Sequence, residues 1–145
     1  MVKKSEIIYA YGHELIWSTH RTTLEITKDK TLTERGDCII AVNADKGAAD
    51  LSNNFKEYAK RADAKLTITI ETDEVKEIVK AEGDPRLSFT AHKDIVVRKS
   101  TYVCGRTVAV SADKAASDLS RRLVERLQNP CQKVKITLTV ESFTH

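Results

Sequence analysis

Two segments of the chain carry nearly the same motif of charged and small residues. AVNADKGAADLS spans residues 41–52 and AVSADKAASDLS spans residues 109–120. Each copy contains the tripeptide Ala-Asp-Lys, so we call it the ADK motif, and it sets Asp45 beside Lys46 and Asp113 beside Lys114. If a helix begins at these positions, its free N–H groups and the lysine favour a phosphate or carboxylate ligand. The aspartate would then bind a hydroxyl group or act as a base.

A structural interpretation accounts for the same residues. The two ADK aspartates, Asp45 and Asp113, are good helix N-caps, because a carboxylate accepts hydrogen bonds from the unpaired amides of a first turn. Asp50 with Ser52, and Asp118 with Ser120 in the second copy, would instead cap a later helix start. Both the ligand interpretation and the capping interpretation remain open from sequence.

Two histidines form a second candidate site. His20 in STHRTT falls opposite His92 in TAHKDI when one residue of slippage is allowed, with threonines and Asp94 close by. A histidine next to a carboxylate can act as an acid or base near neutral pH. The alternative is a partly buried histidine whose ring nitrogens bond backbone and threonine groups.

The cysteines indicate neither a disulfide nor a metal site. Cys38, Cys104 and Cys131 form no CxxC pair, and an odd number favours reduced thiols. A zinc site built from His20, His92, Cys38 and Cys104 is chemically reasonable, but zinc ligands normally come at short spacings and these do not. The chain has no Walker loop, GxGxxG, GxSxG or HExxH motif. We therefore predict no metal and assign neither a cofactor nor a catalytic residue.

Strands and helices alternate in the same order around each motif. Ile136, Leu138 and Val140 alternate with polar residues, which predicts a half-buried antiparallel strand. Residues 22–27 alternate likewise, with Leu24 and Ile26 inward. Residues 38–42 are apolar throughout, which predicts a central strand covered on both faces, with residues 107–110 as its counterpart.

A helix is expected after each motif, because apolar residues recur every four positions. The second helix is expected to stop at Asn129-Pro130. The recurring residues are Leu51, Phe55 and Ala59 in the first copy, and Leu119, Leu123 and Leu127 in the second.

The similarity extends well beyond the motif. Residues 6–12 match residues 77–83, and residues 67–71 match residues 137–141, so offsets stay near 70. We therefore predict one domain, residues 1–145, built from two tandem copies at about 3–72 and 74–143. The expected fold class is α+β and mainly antiparallel β. It is an internally duplicated β sandwich or barrel with two helices, related by a pseudo-twofold axis.

Composition excludes several classes of protein. The chain has 24 basic and 21 acidic residues, a net charge of +3, far from the excess of a dedicated nucleic-acid binder. No apolar run approaches the roughly 20 residues that cross a bilayer. The short apolar stretch near the start is cut at Gly12, so we expect a cytoplasmic protein with no membrane partner. Basic residues on the two helices could form a stripe for RNA or DNA, although acidic residues interrupt it.

A longer set of motifs resembles a known family. GHELIWSTHRTTLEITKDKTLTERGDCIIAV, followed by ADKGAADL and later by DIVVRKSTYVCGRTVAVSADKAASDL, resembles small archaeal proteins catalogued as a domain of unknown function. The likeness covers nearly the whole chain. It implies an archaeal, cytoplasmic, single-domain protein that is mainly β, of sandwich or jelly-roll type. It carries over no activity and no catalytic residue.

Three functional hypotheses follow. The leading one is a binding protein, or an enzyme, for a small anionic ligand such as a phosphate or nucleotide. Its candidate residues are Asp45, Lys46, Asp113, Lys114, His20 and His92. The second is an RNA- or DNA-binding protein, and the third is an assembly subunit that forms an oligomer without a ligand.

Overall fold

The computed structural model describes residues 1–143, and the chain in this range folds into eight strands and two α-helices. A short 3-10 turn precedes each helix, at Ala48–Asp50 and Ala116–Asp118. The fold is therefore α+β and rich in antiparallel sheet. The elements are β1 Val2–Tyr11, β2 Thr23–Thr27, β3 Ile39–Ala41, α1 Asn53–Ala59, β4 Lys65–Glu71, β5 Lys76–Glu82, β6 Asp94–Arg98, β7 Thr107–Ala109, α2 Arg121–Leu127 and β8 Lys133–Ser142.

Sheet I contains the four long strands in the order β1-β8-β4-β5, and all neighbours are antiparallel. Ile136, Leu138 and Val140 are fully buried on its inner face, which confirms the half-buried strand predicted there. Thr137 and Thr139, which lie between them on β8, are partly exposed. Sheet I thus has one face in the core and one face in solvent.

Sheet II contains the short strands in the order β3-β2-β6-β7. Strands β2 and β6 pair antiparallel in the centre, whereas β3 and β7 are edge strands added in parallel. The prediction that residues 38–42 form a central strand, with residues 107–110 as the counterpart, is wrong in both copies, because β2 and β6 occupy the centre. Its residues from Leu24 to Thr27 are all buried, including Glu25 at 7% exposure. The alternation in residues 22–27 therefore does not mark a solvent-exposed face.

The two sheets touch at both edges without closing. A single antiparallel bridge joins Tyr11 at the end of β1 to Val42 after β3, and another joins Glu82 to Val110. Within residues 1–143 no continuous ladder connects the sheets, so a closed barrel is not confirmed. Buried residues from both sheets and both helices form one hydrophobic core.

The helices start later than the ADK motif. Ser52 caps α1 by accepting the N–H of Phe55, and Ser120 caps α2 by accepting the N–H of Leu123. These contacts confirm the later of the two predicted helix starts. Helix α2 ends at Leu127, which is two residues before the predicted stop at Asn129-Pro130.

Glycines let the loops after β1 and β5 pack on the helix C-termini. A Cβ added to Gly83 would lie 2.0 Å from the Ala59 carbonyl oxygen, and one on Gly12 would lie 2.3 Å from the Asn129 carbonyl oxygen. Only a residue without a side chain permits such a close approach of two backbones. The backbone N–H of the next residue in each loop, His13 or Asp84, then bonds the last turn of a helix.

Candidate functional site

The ADK aspartates fasten a loop to the edges of sheet I. The Asp45 side chain accepts the N–H of Tyr9 on β1 at 3.0 Å, and Asp113 accepts the N–H of Lys80 on β5 at 2.9 Å. The prediction that these aspartates cap helices is therefore wrong, because their oxygens bond unpaired strand amides instead. The same contact recurs in both halves of the chain, as the proposed duplication requires, although the duplication itself stays a prediction.

The ADK lysines form ion pairs with glutamates. Lys46 Nζ lies 3.1 Å from Glu6 Oε2, and Lys114 Nζ lies 3.0 Å from Glu77 Oε2. The glutamate in each pair also accepts a backbone N–H, that of Ser52 in the first pair. Each lysine charge is thus balanced within the fold. A ligand role for Asp45, Lys46, Asp113 and Lys114 remains a prediction.

The two histidines do not occupy equivalent positions. The carbonyl oxygen of His20 accepts the N–H of Ser117, and the matching bond in the other half runs from Ala49 to Ala91. His20 therefore corresponds to Ala91, one position before His92. Its Nδ1 accepts the backbone N–H groups of the threonines at 22 and 23, as the structural interpretation expected. His92 is exposed and lies against Gly47. A ligand role for either histidine also remains a prediction.

Most basic residues of the helices form ion pairs or hydrogen bonds with nearby residues. Arg61 pairs with Glu57, and Arg126 pairs with Glu74. The Arg121 guanidinium donates to several carbonyl oxygens around the start of α2. These contacts weaken the prediction of a nucleic-acid stripe along the helices.

A different group of reactive side chains lies on the side of sheet II away from the core. Leu24 and Ile26 of β2 point into the core, so Glu25 points to the opposite side. Residues on β6 and in the turn that leads into β7 complete the group, which we call the thiol cluster. Its members are Glu25, Asp94, Arg98, Cys104, Arg106 and Thr107.

A guanidinium holds the two carboxylates of the thiol cluster. Arg106 Nη1 lies 3.0 Å from Glu25 Oε1 and 3.7 Å from Asp94 Oδ2. Burial raises the pKa of Glu25, and the Asp94 charge raises it further. The charges of Arg106 and Arg98 only partly offset these effects. Glu25 is thus a buried carboxyl group that releases its proton less readily than an exposed one.

The Cys104 sulfur is surrounded by hydrogen-bond donors. Arg98 Nη2 lies 3.5 Å from Sγ, and Thr107 Oγ1 lies 3.6 Å from it. The Thr107 oxygen already accepts the Arg98 Nε–H and the Cys104 N–H, so its own hydrogen is left to donate to sulfur. Partial burial raises the pKa of Cys104, but bonds from the Arg106 N–H, Thr107 and the two arginine side chains outweigh it and lower it to about 7.

Cys38 provides a contrast within the same sheet. It directly precedes β3, and its carbonyl oxygen accepts the N–H of Glu25. Burial and the charges of Glu25 and Asp37 raise the pKa of the Cys38 thiol to about 11. Of these two cysteines, only Cys104 lies in surroundings that stabilise a thiolate at neutral pH.

In the described residues, no group of three or more histidine, cysteine or carboxylate side chains is arranged to hold a metal ion. None of the helices within residues 1–143 is long and apolar enough to cross a membrane.

Comparison with known proteins supports the resemblance seen in the sequence. Residues 8–141 match the family described as domain of unknown function (DUF371). The chain belongs to this family. An uncharacterised archaeal protein, MJ0206 of Methanocaldococcus jannaschii, is 43% identical over 122 residues, which cover 84% of this chain and 90% of the relative. Neither the DUF371 family nor this relative carries an assigned activity, so the function of the chain is unknown.

Sequence reasoning considered Cys104 only as a zinc ligand and did not find the thiol cluster. The sequence did contain one indication of this cluster, because Glu25 lies within the strand TLEIT, and Asp94 and Arg98 lie at the ends of the strand DIVVR. Charged residues within short, otherwise apolar strands are rarely buried unless they are paired. That rule indicates a buried ionic group, although it does not identify the partners.

Proposed function

We propose that this DUF371 protein binds a small anionic electrophile at the thiol cluster and that Cys104 attacks it as a thiolate. The observation that carries the proposal is the sulfur of Cys104, which lies 3.5 Å from the Arg98 guanidinium and 3.6 Å from the Thr107 hydroxyl. Thiolates flanked by cationic groups and partly exposed to solvent are typical of reactive cysteines.

The surroundings support an anionic substrate. Arg106 is 46% exposed at its side chain, and Arg98 is partly exposed and stacks on Tyr102 at 4.9 Å. Guanidinium groups bind carboxylates and phosphates through paired hydrogen bonds. The buried carboxylates on one side of Arg106 fix its position, which leaves its exposed edge for a ligand. The expected ligand class, a small carboxylate or phosphate, is the one that the sequence suggested.

The chemical step is a simple displacement. The Cys104 thiolate donates an electron pair to an electrophilic carbon of the ligand, and a sulfur–carbon bond forms. The bond to the leaving group breaks, and the leaving group departs with its electron pair. Arg98 and Thr107 hold the sulfur as a thiolate before the attack, and the arginines orient the anionic group of the ligand.

The test uses two alkylating reagents that differ in charge, iodoacetate and neutral iodoacetamide. Peptide mass spectrometry measures the rate of labelling at Cys104 and at exposed Cys131 in the same sample. At pH 7, a thiol with a pKa of about 7 is half ionised, against about 3% for an ordinary thiol. After allowing for its lower intrinsic nucleophilicity, Cys104 should react roughly threefold faster than an ordinary thiol.

Anion recognition is measured by the ratio of the two rates. The ratio of iodoacetate to iodoacetamide labelling should be higher at Cys104 than at Cys131, and Arg98→Gln should lower it at Cys104 only. Arg122→Gln on α2 is the matched control, since it removes one exposed positive charge from a residue outside the thiol cluster. Equal ratios at both cysteines, or labelling of Cys104 that rises only above about pH 8, would refute the proposal.

A further inference from the structure

The solvent-exposed face of sheet I is a second surface that neither the fold nor the thiol cluster explains. It consists of the odd-numbered residues of β1, β4 and β8 and the even-numbered residues of β5, because side chains alternate along each strand. We call it the open face. Strand register sets one row across it, from Ile7 through Thr137 and Thr69 to Ile78.

The open face holds the positive charge excess of the chain. It carries six lysines and three glutamates, an excess equal to the formal net charge of +3. Two of the lysines pair with glutamates on the same face, Lys3 with Glu141 and Lys65 with Glu82. The other four, at positions 76, 80, 133 and 135, form no ion pair within the described residues.

Exposed apolar side chains are concentrated on the same face. Ile7, Tyr9, Tyr11 and Ile78 are 36–41% exposed, and they are half of the eight large hydrophobic residues exposed within residues 1–143. Threonines occupy the two central strands between them. Lys133 Nζ lies over the Tyr9 ring, 4.6 Å from its centre, so a flexible cation rests on one face of an aromatic side chain. An aromatic ring beside a cation is the combination that binds a base together with its phosphate.

We propose that the open face binds single-stranded nucleic acid. Lysines attract the phosphates, tyrosine rings stack on unpaired bases, and the central threonines keep the surface flat enough for a strand to cross it. A duplex fits less well in its major groove, because that groove is about 12 Å wide and admits a helix or a two-stranded ribbon, whereas the open face spans four strands. A second copy of the chain fits less well too, since an isologous contact would bring together two faces that each carry a net charge of +3.

The test is fluorescence anisotropy with a labelled oligouridine RNA and an oligothymidine DNA of about 15 nucleotides each. Binding should weaken steeply as salt rises from about 50 to 200 mM. Lys133→Gln with Lys135→Gln should reduce the slope of log affinity against log salt by about 0.7 for each phosphate that the variant no longer neutralises. Tyr9→Ala should weaken binding by about five- to hundred-fold because a base can no longer stack on the ring.

The matched control is Lys30→Gln with Arg122→Gln, which removes the same charge from exposed positions outside sheet I. This control should retain the slope and the affinity of the parent. Thermal melting verifies that each variant is folded, and the lysine pair keeps the test decisive if Tyr9→Ala is unstable. Absent binding at about 50 mM salt, or equal weakening by the control pair, overturns the proposal. A dimer that light scattering detects and that Ile7→Asp disrupts would also overturn the proposal, because the open face would then bind a second copy of the chain.

Discussion

Glu6 and Lys46 form an ion pair that ties the first strand to the ADK motif, with Oε2 of the glutamate 3.1 Å from Nζ of the lysine. The other oxygen of Glu6 accepts the N–H of Ser52, the cap of α1. The same arrangement joins Glu77 to Lys114 and Ser120. The repeated motif therefore connects an edge strand of sheet I to a helix entrance in each half.

Glu6→Gln is expected to destabilise the protein in a pH-dependent way. Partial burial raises the pKa of Glu6, but the bonds from Ser52 and the charge of Lys46 outweigh it, so the pKa lies below its ordinary value. The stabilisation is present above the unfolded pKa of about 4.3 and is lost as pH falls through the folded value. Urea unfolding should give a loss of about 1 kcal/mol at pH 7 that disappears in acid.

Glu141→Gln is the control for that experiment. Glu141 also pairs with a lysine, but the pair spans 3.6 Å and both side chains are well exposed. Exposed pairs contribute roughly 0–1 kcal/mol, so this variant should change little at any pH. A pH-independent loss in Glu6→Gln would contradict the role of its charge.

Ser52→Ala should cost about 1 kcal/mol of unfolding free energy, because it removes the acceptor for the first turn of α1. The control is Ser117→Ala, whose hydroxyl bonds no partner among the residues that the structure describes. Chemical denaturation of both variants provides the comparison. If Ser52→Ala were as stable as the control, Ser52 would not be the cap of α1.

Gly83→Ala should destabilise the protein by about 1–3 kcal/mol, because its methyl group would meet backbone. The added Cβ would lie 2.0 Å from the Ala59 carbonyl oxygen, in the last turn of α1. At Gly36 the nearest atom is the end of the flexible Leu32 side chain, at 2.5 Å. Gly36→Ala is therefore the matched control, with a smaller expected loss in a thermal melt. Equal losses of stability in the two variants would mean that the end of helix α1 moves away from the new methyl group at little cost in free energy.

Local patterns predicted the elements better than their arrangement. The alternation of Ile136, Leu138 and Val140 predicted β8, because it reflects one element against the core. The four-residue spacing of apolar residues likewise predicted both helices, although Leu51 and Leu119 lie just before them. The order of sheet II was not predictable in this way. Its central strand β2 looks half-exposed in sequence, since Glu25 interrupts the apolar residues.

The thiol cluster was missed for a related reason. Glu25 is buried only because Arg106, 81 positions away in the chain, reaches it from the turn before β7. Periodicity reports the environment of neighbouring residues, and it contains no information about a pairing over that separation. The ADK motif stood out because it is repeated, although the contacts found for it hold loops and strands together.

Glu25→Gln should remove a loss of stability that the parent protein undergoes as pH rises. Burial, followed by the charge of Asp94, raises the pKa of Glu25, so the folded state favours the protonated acid. The contribution of this carboxyl to the free energy of unfolding therefore falls as pH rises from about 4.3 through the raised folded value. Glutamine cannot ionise, so the variant escapes that fall.

Urea unfolding of both proteins between about pH 4 and pH 8 tests this expectation. The stability of Glu25→Gln relative to the parent should increase with pH, whatever constant offset follows from removing the bond to Arg106. Glu125→Gln, at an exposed position of α2, is the control for the loss of one carboxylate and should change the free energy of unfolding little at pH 7. A difference between Glu25→Gln and the parent that does not change with pH would mean that the Arg106 pair fully compensates for burial, and Glu25 would then have no raised pKa.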